Sequence, residues 1–213
     1  MKTNDLIELL STNVEPVSPR CLARELVGAI VVGAAVVLGL ALIVHGIRPD
    51  FRELHAFTFL LLKVGFAALV VLLGSVYLIR LARPGGEVKA TIIGAAWPLI
   101  GIVLLALISL LAAPLWHWQS MAMEERWLEC LISIPMIAIV PFAVVVWELR
   151  RMAPTNLVRA GALAGLVAGG TSAIGYALHC TDDSLPFIAL WYGGTIVLCT
   201  LAGAILGSRL LRW

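Results

Sequence analysis

The chain has 213 residues, 61% of them hydrophobic and only 13% charged, with a formal net charge of +2. Its mean hydropathy is +1.01. That balance is far from a soluble globular domain's, and the short loops between the apolar runs leave no room for a separate one.

The segment from Met1 to about Arg24 is the only sizeable piece outside the apolar runs. It is polar and acidic with no basic n-region, so it does not read as a cleavable signal peptide, and the first apolar run reads as an uncleaved anchor. Thr3, Asn4 and Asp5 offer side-chain oxygens that cap a helix. Leu6, Ile7, Leu9 and Leu10 follow, with Leu6, Leu9 and Leu10 on one face, and the stretch Val14-Glu15-Pro16-Val17-Ser18-Pro19 ends the helix. A helix this short is marginal in water and needs a surface to lie on. Lys2 stands against Asp5, Glu8 and Glu15. That is the wrong sign for anionic lipid, which favours a basic polar face, and the right sign for a basic protein. A flexible tail of the same composition is the alternative.

Six apolar runs then follow, over about 25–45, 55–79, 91–113, 128–147, 158–178 and 186–208. Each holds about 20 residues, enough to cross a hydrocarbon core of about 30 Å. Spanning segments must be helical so that the backbone satisfies its own hydrogen bonds. With the N-terminus inside, Lys2, Arg20, Arg24, Arg80, Arg83, Lys89, Arg150, Arg151, Arg159, Arg209 and Arg212 fall on the internal side, and only Arg48, Arg52 and Arg126 on the external side. This asymmetry predicts cytoplasmic termini. The expected fold is an all-α polytopic membrane bundle: residues 1–24 form a cytoplasmic segment and residues 25–213 a six-helix transmembrane domain. The external loops gather Asp50, Glu53, Glu124, Glu125, Glu129, Asp182 and Asp183 with all four histidines. That acidic rim could draw cations, or it is what remains when orientation sends bases inward.

Pro98 lies in the third run, and Pro135 and Pro141 in the fourth, where each removes a backbone donor and can bend a helix. Gly161, Gly165, Gly169, Ala173 and Ala177 make a small-residue stripe along the fifth run, and Gly203 and Gly207 repeat the spacing in the sixth. Such stripes allow close backbone approach, within one chain or between two.

Two of the four cysteines share the outer side. Cys130 begins the fourth run and Cys180 follows the fifth, so both are expected at the external surface. A permanent disulfide, a reversible switch by disulfide formation or soft-metal capture, and two unrelated thiols are the three readings. His179 and Glu129 are adjacent N and O donors, although no CxxC or His/Cys repeat is present. Lys63 is the other anomaly. It lies about 12 Å into its run, where a lysine costs about 2.5–3.5 kcal/mol. It reads as a functional cation, as one that snorkels outward, or as one with a local polar partner. No acid within the spans offers a counter-charge, which argues against a proton relay. HExxH, GxSxG and Gly-rich phosphate loops are absent, as is a basic patch interleaved with aromatics, so neither an enzyme nor direct nucleic-acid binding is expected, and no resident cofactor.

The opening Met1-Lys2-Thr3-Asn4-Asp5-Leu6-Ile7-Glu8-Leu9-Leu10, followed by Val14-Glu15-Pro16-Val17, six spans and the pair Cys130 and Cys180, resembles the NrsF-like family over the full length. These are bacterial inner-membrane anti-sigma factors, negative regulators of extracytoplasmic-function (ECF) sigma factors. The resemblance implies that the cytoplasmic part holds such a sigma factor inactive, with Asp5, Leu6, Ile7, Glu8, Leu9, Leu10 and Glu15 as candidate contacts. It also implies that Cys130 and Cys180 sense metal or oxidative stress from the periplasm. Asn4 stands where family members commonly carry Asp, which costs one acid but keeps a capping oxygen. A small metal or solute transporter is the competing reading: the acidic rim and Lys63 suit it, while the spans lack a line of carboxylates or histidines.

Overall fold

The computed structural model describes residues 19–44, 46, 48–49, 53–82, 91–123, 126–152 and 154–212. The N-terminal contacts expected at Asp5, Leu6, Ile7, Glu8, Leu9, Leu10 and Glu15 lie outside the described residues. Helix α1 covers Pro19–Val44, α2 Leu54–Leu81 and α3 Thr91–Ala112. A 3-10 turn at Leu115–His117 and a short helix α4, Trp118–Ala122, precede α5, Trp127–Met152. Helix α6 covers Leu157–Ala177. The last span is composite: a turn α7 at Leu185–Phe187, a wide π-type turn at Ile188–Gly193, and α8 at Gly194–Leu210. No strand occurs among the described residues. Six of these segments are long and apolar enough to cross a membrane, which agrees with the expected all-α bundle.

Helix α6 is the hub. It is 72% buried, against 22–33% for the other spanning segments, and it packs on α1, α2, α5 and α8. A helix apolar all round suits a site enclosed on every side, and α6 is built largely from Gly, Ala, Val and Leu. Its start is fixed by Asn156, whose Oδ1 accepts from the Arg159 backbone N–H at 3.0 Å. Helix α3 lies outermost, against α2 and the α7–π segment.

The small-residue stripes meet each other within the chain. A Cβ at Gly161 would run into the Gly203 carbonyl oxygen, and one at Gly165 into the Cys199 carbonyl. The α6–α8 crossing is therefore a backbone-to-backbone seam. The prolines do not break their helices: α5 runs unbroken through Pro135 and Pro141, and Pro141 fits against Gly33 of α1, where an added Cβ would lie 3.0 Å from its own.

The described basic residues separate along the bundle. Arg80, Arg150, Arg151, Arg159 and Arg209 lie at the ends of α2, α5, α6 and α8 that share one side. Arg150 of α5 donates to the Leu210 carbonyl, which ties two of those ends together. Arg48, Arg126, Cys130 and Cys180 lie at the opposite end. The connection leading into α5 is structured rather than a plain loop: a 3-10 turn is followed by α4, which packs on α7. Trp191 Nε1 donates to the Ala122 carbonyl at 2.8 Å, and the Trp127 and Trp191 rings lie 4.9 Å apart.

Gly161→Leu drives a side chain into the α8 backbone and should lower stability by roughly 1–3 kcal/mol. Gly39→Ala, inside α1 at a position with nothing within 4 Å, should instead raise it by about 0.5–1 kcal/mol. Thermal unfolding of the purified protein in detergent checks both.

Candidate functional site

The segment joining α6 to α7 is buried rather than spread on the surface. Cys180 is fully buried, and Asp182 and Ser184 are nearly so. Backbone polar groups in that position need partners from the protein. The Cys180 N–H donates to the Tyr176 carbonyl at 3.1 Å, and the Leu178 carbonyl accepts from the Arg48 N–H at 3.1 Å. Ser184 donates to the Met121 carbonyl at 2.6 Å and caps α7 by accepting from the Phe187 N–H at 3.2 Å.

Two cations clamp this segment. The Lys63 ammonium donates to Asp183 Oδ1 at 2.8 Å and to the Cys180 carbonyl at 3.2 Å. The Arg48 guanidinium grips both carboxylate oxygens of Asp183, at 2.8 and 3.2 Å, and also reaches the Cys180 carbonyl at 3.3 Å. Lys63 is completely buried and Arg48 4% exposed. Of the readings open for Lys63, the structure shows the local polar partner: Lys63 does not snorkel outward, and its counter-charge comes from a loop, the spans themselves supplying none. Asp183 is a largely enclosed anchor, its side chain 10% exposed, rather than part of an open acidic rim.

The two thiols are likewise not surface groups. Cys130 and Cys180 are both fully buried, and both are free thiols. Both belong to the buried core, together with Tyr176, Phe187 and Tyr192. Lys63 lies 5.9 Å from the centre of the Tyr192 ring, and the Tyr176 and Tyr192 rings are 6.2 Å apart. The burial of the thiols follows from the clamp, which draws the segment inward, and from α4, which packs on α7.

A second set of contacts closes the rim. Arg126 NH1 meets His179 Nε2 at 2.9 Å, its backbone N–H donates to Asp182 Oδ2 at 3.2 Å, and its guanidinium lies 3.8 Å from Glu129. His179 and Glu129, the expected auxiliary donors, thus both engage Arg126. Among the described residues no group of three or more His, Cys, Asp or Glu side chains is arranged to hold a metal ion.

The neighbouring aspartates are tuned in opposite directions. Burial raises Asp182, and the Arg126 N–H and the Lys63 charge only partly offset it. Burial also acts upward on Asp183, but the hydrogen bonds and charges of Arg48 and Lys63 outweigh it and hold Asp183 below the usual carboxylate range. Burial raises the Cys180 thiol, against the opposing charge of Lys63.

The sequence reading missed Arg48, Asp183, Tyr176 and Tyr192. Tyr176 had a signal, since it precedes Cys180 by one helical turn. Tyr192 had none, because its placement depends on the π-type turn, stabilised where Thr195 donates to the Trp191 and Tyr192 carbonyls. Such turns recur at functional positions.

Acidification should move stability both ways. As pH falls through the raised value of Asp182, the cost of its buried charge is relieved and stability increases. From the ordinary aspartate value of about 3.9 down through the lowered value of Asp183, the clamp's contribution is lost. Asp182→Asn should abolish the rise. Asp183→Asn removes the carboxylate that two buried cations share and should cost about 3–5 kcal/mol at neutral pH. Unfolding measured across pH tests all three expectations.

Residues 10–213 match the family model described as NrsF, negative regulator of sigma F. The chain is 31% identical over 214 residues to a probable anti-sigma-F factor NrsF of Azospira oryzae, and 32% identical over 228 residues to the anti-sigma-F factor NrsF of Caulobacter vibrioides. Both alignments cover the whole of each chain. No solved structure matches the chain.

Proposed function

The chain belongs to the NrsF family, and from that premise we propose that it is a membrane-embedded anti-sigma factor that holds an ECF sigma factor at the bacterial inner membrane and releases it when Cys130 and Cys180 react at the periplasmic end. Residues 1–24 carry the sigma contact on the cytoplasmic side, with Asp5, Leu6, Ile7, Glu8, Leu9, Leu10 and Glu15 presenting an acidic, leucine-bearing face. A sigma factor binds DNA and so offers basic surface to such a helix.

The observation that carries this reading is the burial of two free thiols at the end of the bundle opposite the arginine-rich end. The excess of Lys and Arg at that other end orients it toward the cytoplasm. Joining the thiols by a soft metal ion, or by a disulfide when a thiol oxidant takes up the two electrons, changes the spacing of α5 against the end of α6. Those two helices pack directly on each other, and α6 passes any displacement to α8 through the glycine seam.

Magnitudes limit the resting bias. Moving an equilibrium from 1:99 to 99:1 takes about 5.5 kcal/mol, and a disulfide typically supplies about 2–4. The switch therefore works from a modest resting preference for the sigma-bound form, or from a partial release.

Co-purification is the direct test. The full chain should capture its sigma factor, and a chain lacking residues 1–19 should lose nearly all of it; undiminished capture by the shortened chain removes the N-terminal contact. In cells, Cys130→Ser and Cys180→Ser should each blunt induction of sigma-dependent genes by a thiol oxidant or soft metal. Induction equal to wild type in both variants would sink the thiol switch.

A further inference from the structure

Helix α3 packs on α2 and on the α7–π segment, toward the end that carries the thiols, but not closely on α6 or α8. Toward the arginine-rich end a groove of about 150 Å³ lies between these three helices, lined by Ala96 of α3, Ala162 and Leu166 of α6, and Val197 and Leu201 of α8. Val197 and Leu201 are exposed, so the groove opens sideways onto the acyl chains around a spanning bundle. An apolar space of this size stays dry and takes up hydrocarbon. Left unfilled, it forfeits dispersion contacts along its lining.

Among the described residues, the lining has one charged side chain, Arg159, which stands half-buried in the first turn of α6. No described carboxylate pairs with it, whereas Arg151 lies 3.8 Å from Glu148 and Arg150 donates to the Leu210 carbonyl. From Arg159 to Leu166 the groove descends about 10 Å along α6, within one half of a hydrocarbon core of about 30 Å. It therefore belongs to a single leaflet, with its cation at headgroup level and its apolar length below. A phospholipid has the matching layout, a phosphate above an acyl chain. Arginine suits the phosphate because its planar fork offers paired N–H donors to two oxygens. Among the described residues at that end, arginines outnumber Glu25 and Glu148, and such a field favours an anionic headgroup over a zwitterionic one.

We propose that the groove between α3, α6 and α8 is a binding site for an anionic phospholipid of the leaflet on the arginine-rich side, its phosphate on Arg159 and an acyl chain along Ala162 and Leu166. The acyl chain supplies the packing that α3 does not find on α6 or α8, so the bound lipid ties the outermost helix to the hub. In the orientation proposed above this leaflet is the cytoplasmic one. The site itself needs only the groove and its arginine, and it stands apart from the thiol switch.

Native mass spectrometry of the full chain in detergent, titrated with phosphatidylglycerol or with phosphatidylcholine of the same acyl chains, tests this. The first phosphatidylglycerol should bind about tenfold more tightly than the first phosphatidylcholine. Arg159→Gln should weaken it about tenfold, which corresponds to about 1.4 kcal/mol. Arg151→Gln removes a charge from the same end outside the groove and should leave it within about twofold of wild type. Ala162→Leu fills the groove without changing charge and should also weaken the first phosphatidylglycerol about tenfold. Should that variant not accumulate, Ala96→Leu on the outer helix fills the same space, and the same loss is required of it. Phosphatidylglycerol should also raise the melting temperature of the wild type, and raise it less in Arg159→Gln. Equal retention of the two lipids, or equal loss in Arg151→Gln and Arg159→Gln, would reduce the effect to the general positive field and overturn the proposal. Undiminished binding in the groove-filling variant would overturn it as well. So would a dimer that dissociates in Ala162→Leu, since the groove would then belong to a second copy of the chain.

Discussion

A buried ion cluster governs the thiol end of this bundle. Arg48, from the segment after α1, and Lys63, from α2, converge on Asp183, between α6 and the last span. Three parts of the chain that share no local sequence are thereby tied to one carboxylate. Buried ion pairs add little net stability, because desolvation offsets attraction, but they are intolerant of misplacement. Their effect here is geometric. With Asp183 held, the Cys180 carbonyl faces the two cations and its thiol lies in the buried core that also holds Cys130, Tyr176 and Tyr192. The same tie draws the segment inward, which is why two cysteines at helix ends are not exposed.

The rest of the bundle supports that end through α6. Its small side chains let α8 approach to backbone contact at Gly161 and Gly165, while its other faces meet α1, α2 and α5. Close-packed interfaces of this kind do not deform smoothly; they shift between discrete arrangements. In the proposed switch, a change in thiol spacing at one end of α5 and α6 would be carried along such rigid elements. The prolines of α5 fit this role as packing features, with Pro141 set against Gly33 in an unbroken helix.

The opposed tuning of Asp182 and Asp183 shows how one loop shifts two adjacent carboxylates in opposite directions. Asp183 has two cationic donors and remains ionised; Asp182 has a backbone donor and holds its proton more tightly.

Much of this was legible from composition alone. Hydropathy and run length are local sums along the chain, so six spans, their helical character and the lopsided basic residues could be read directly. The pairing of the Gly161 stripe with Gly203 and Gly207 was half legible: spacing announced close packing, but not whether the partner was the same chain. Lys63 marks where reading stopped. Its burial cost was evident, yet its partner lies 120 residues away in a loop that composition assigned to the surface. The sequence by itself determined what must be buried in lipid, because that depends on each segment's own side chains. Only the tertiary structure decided which charges meet, because a salt bridge depends on distances across space that no single segment encodes.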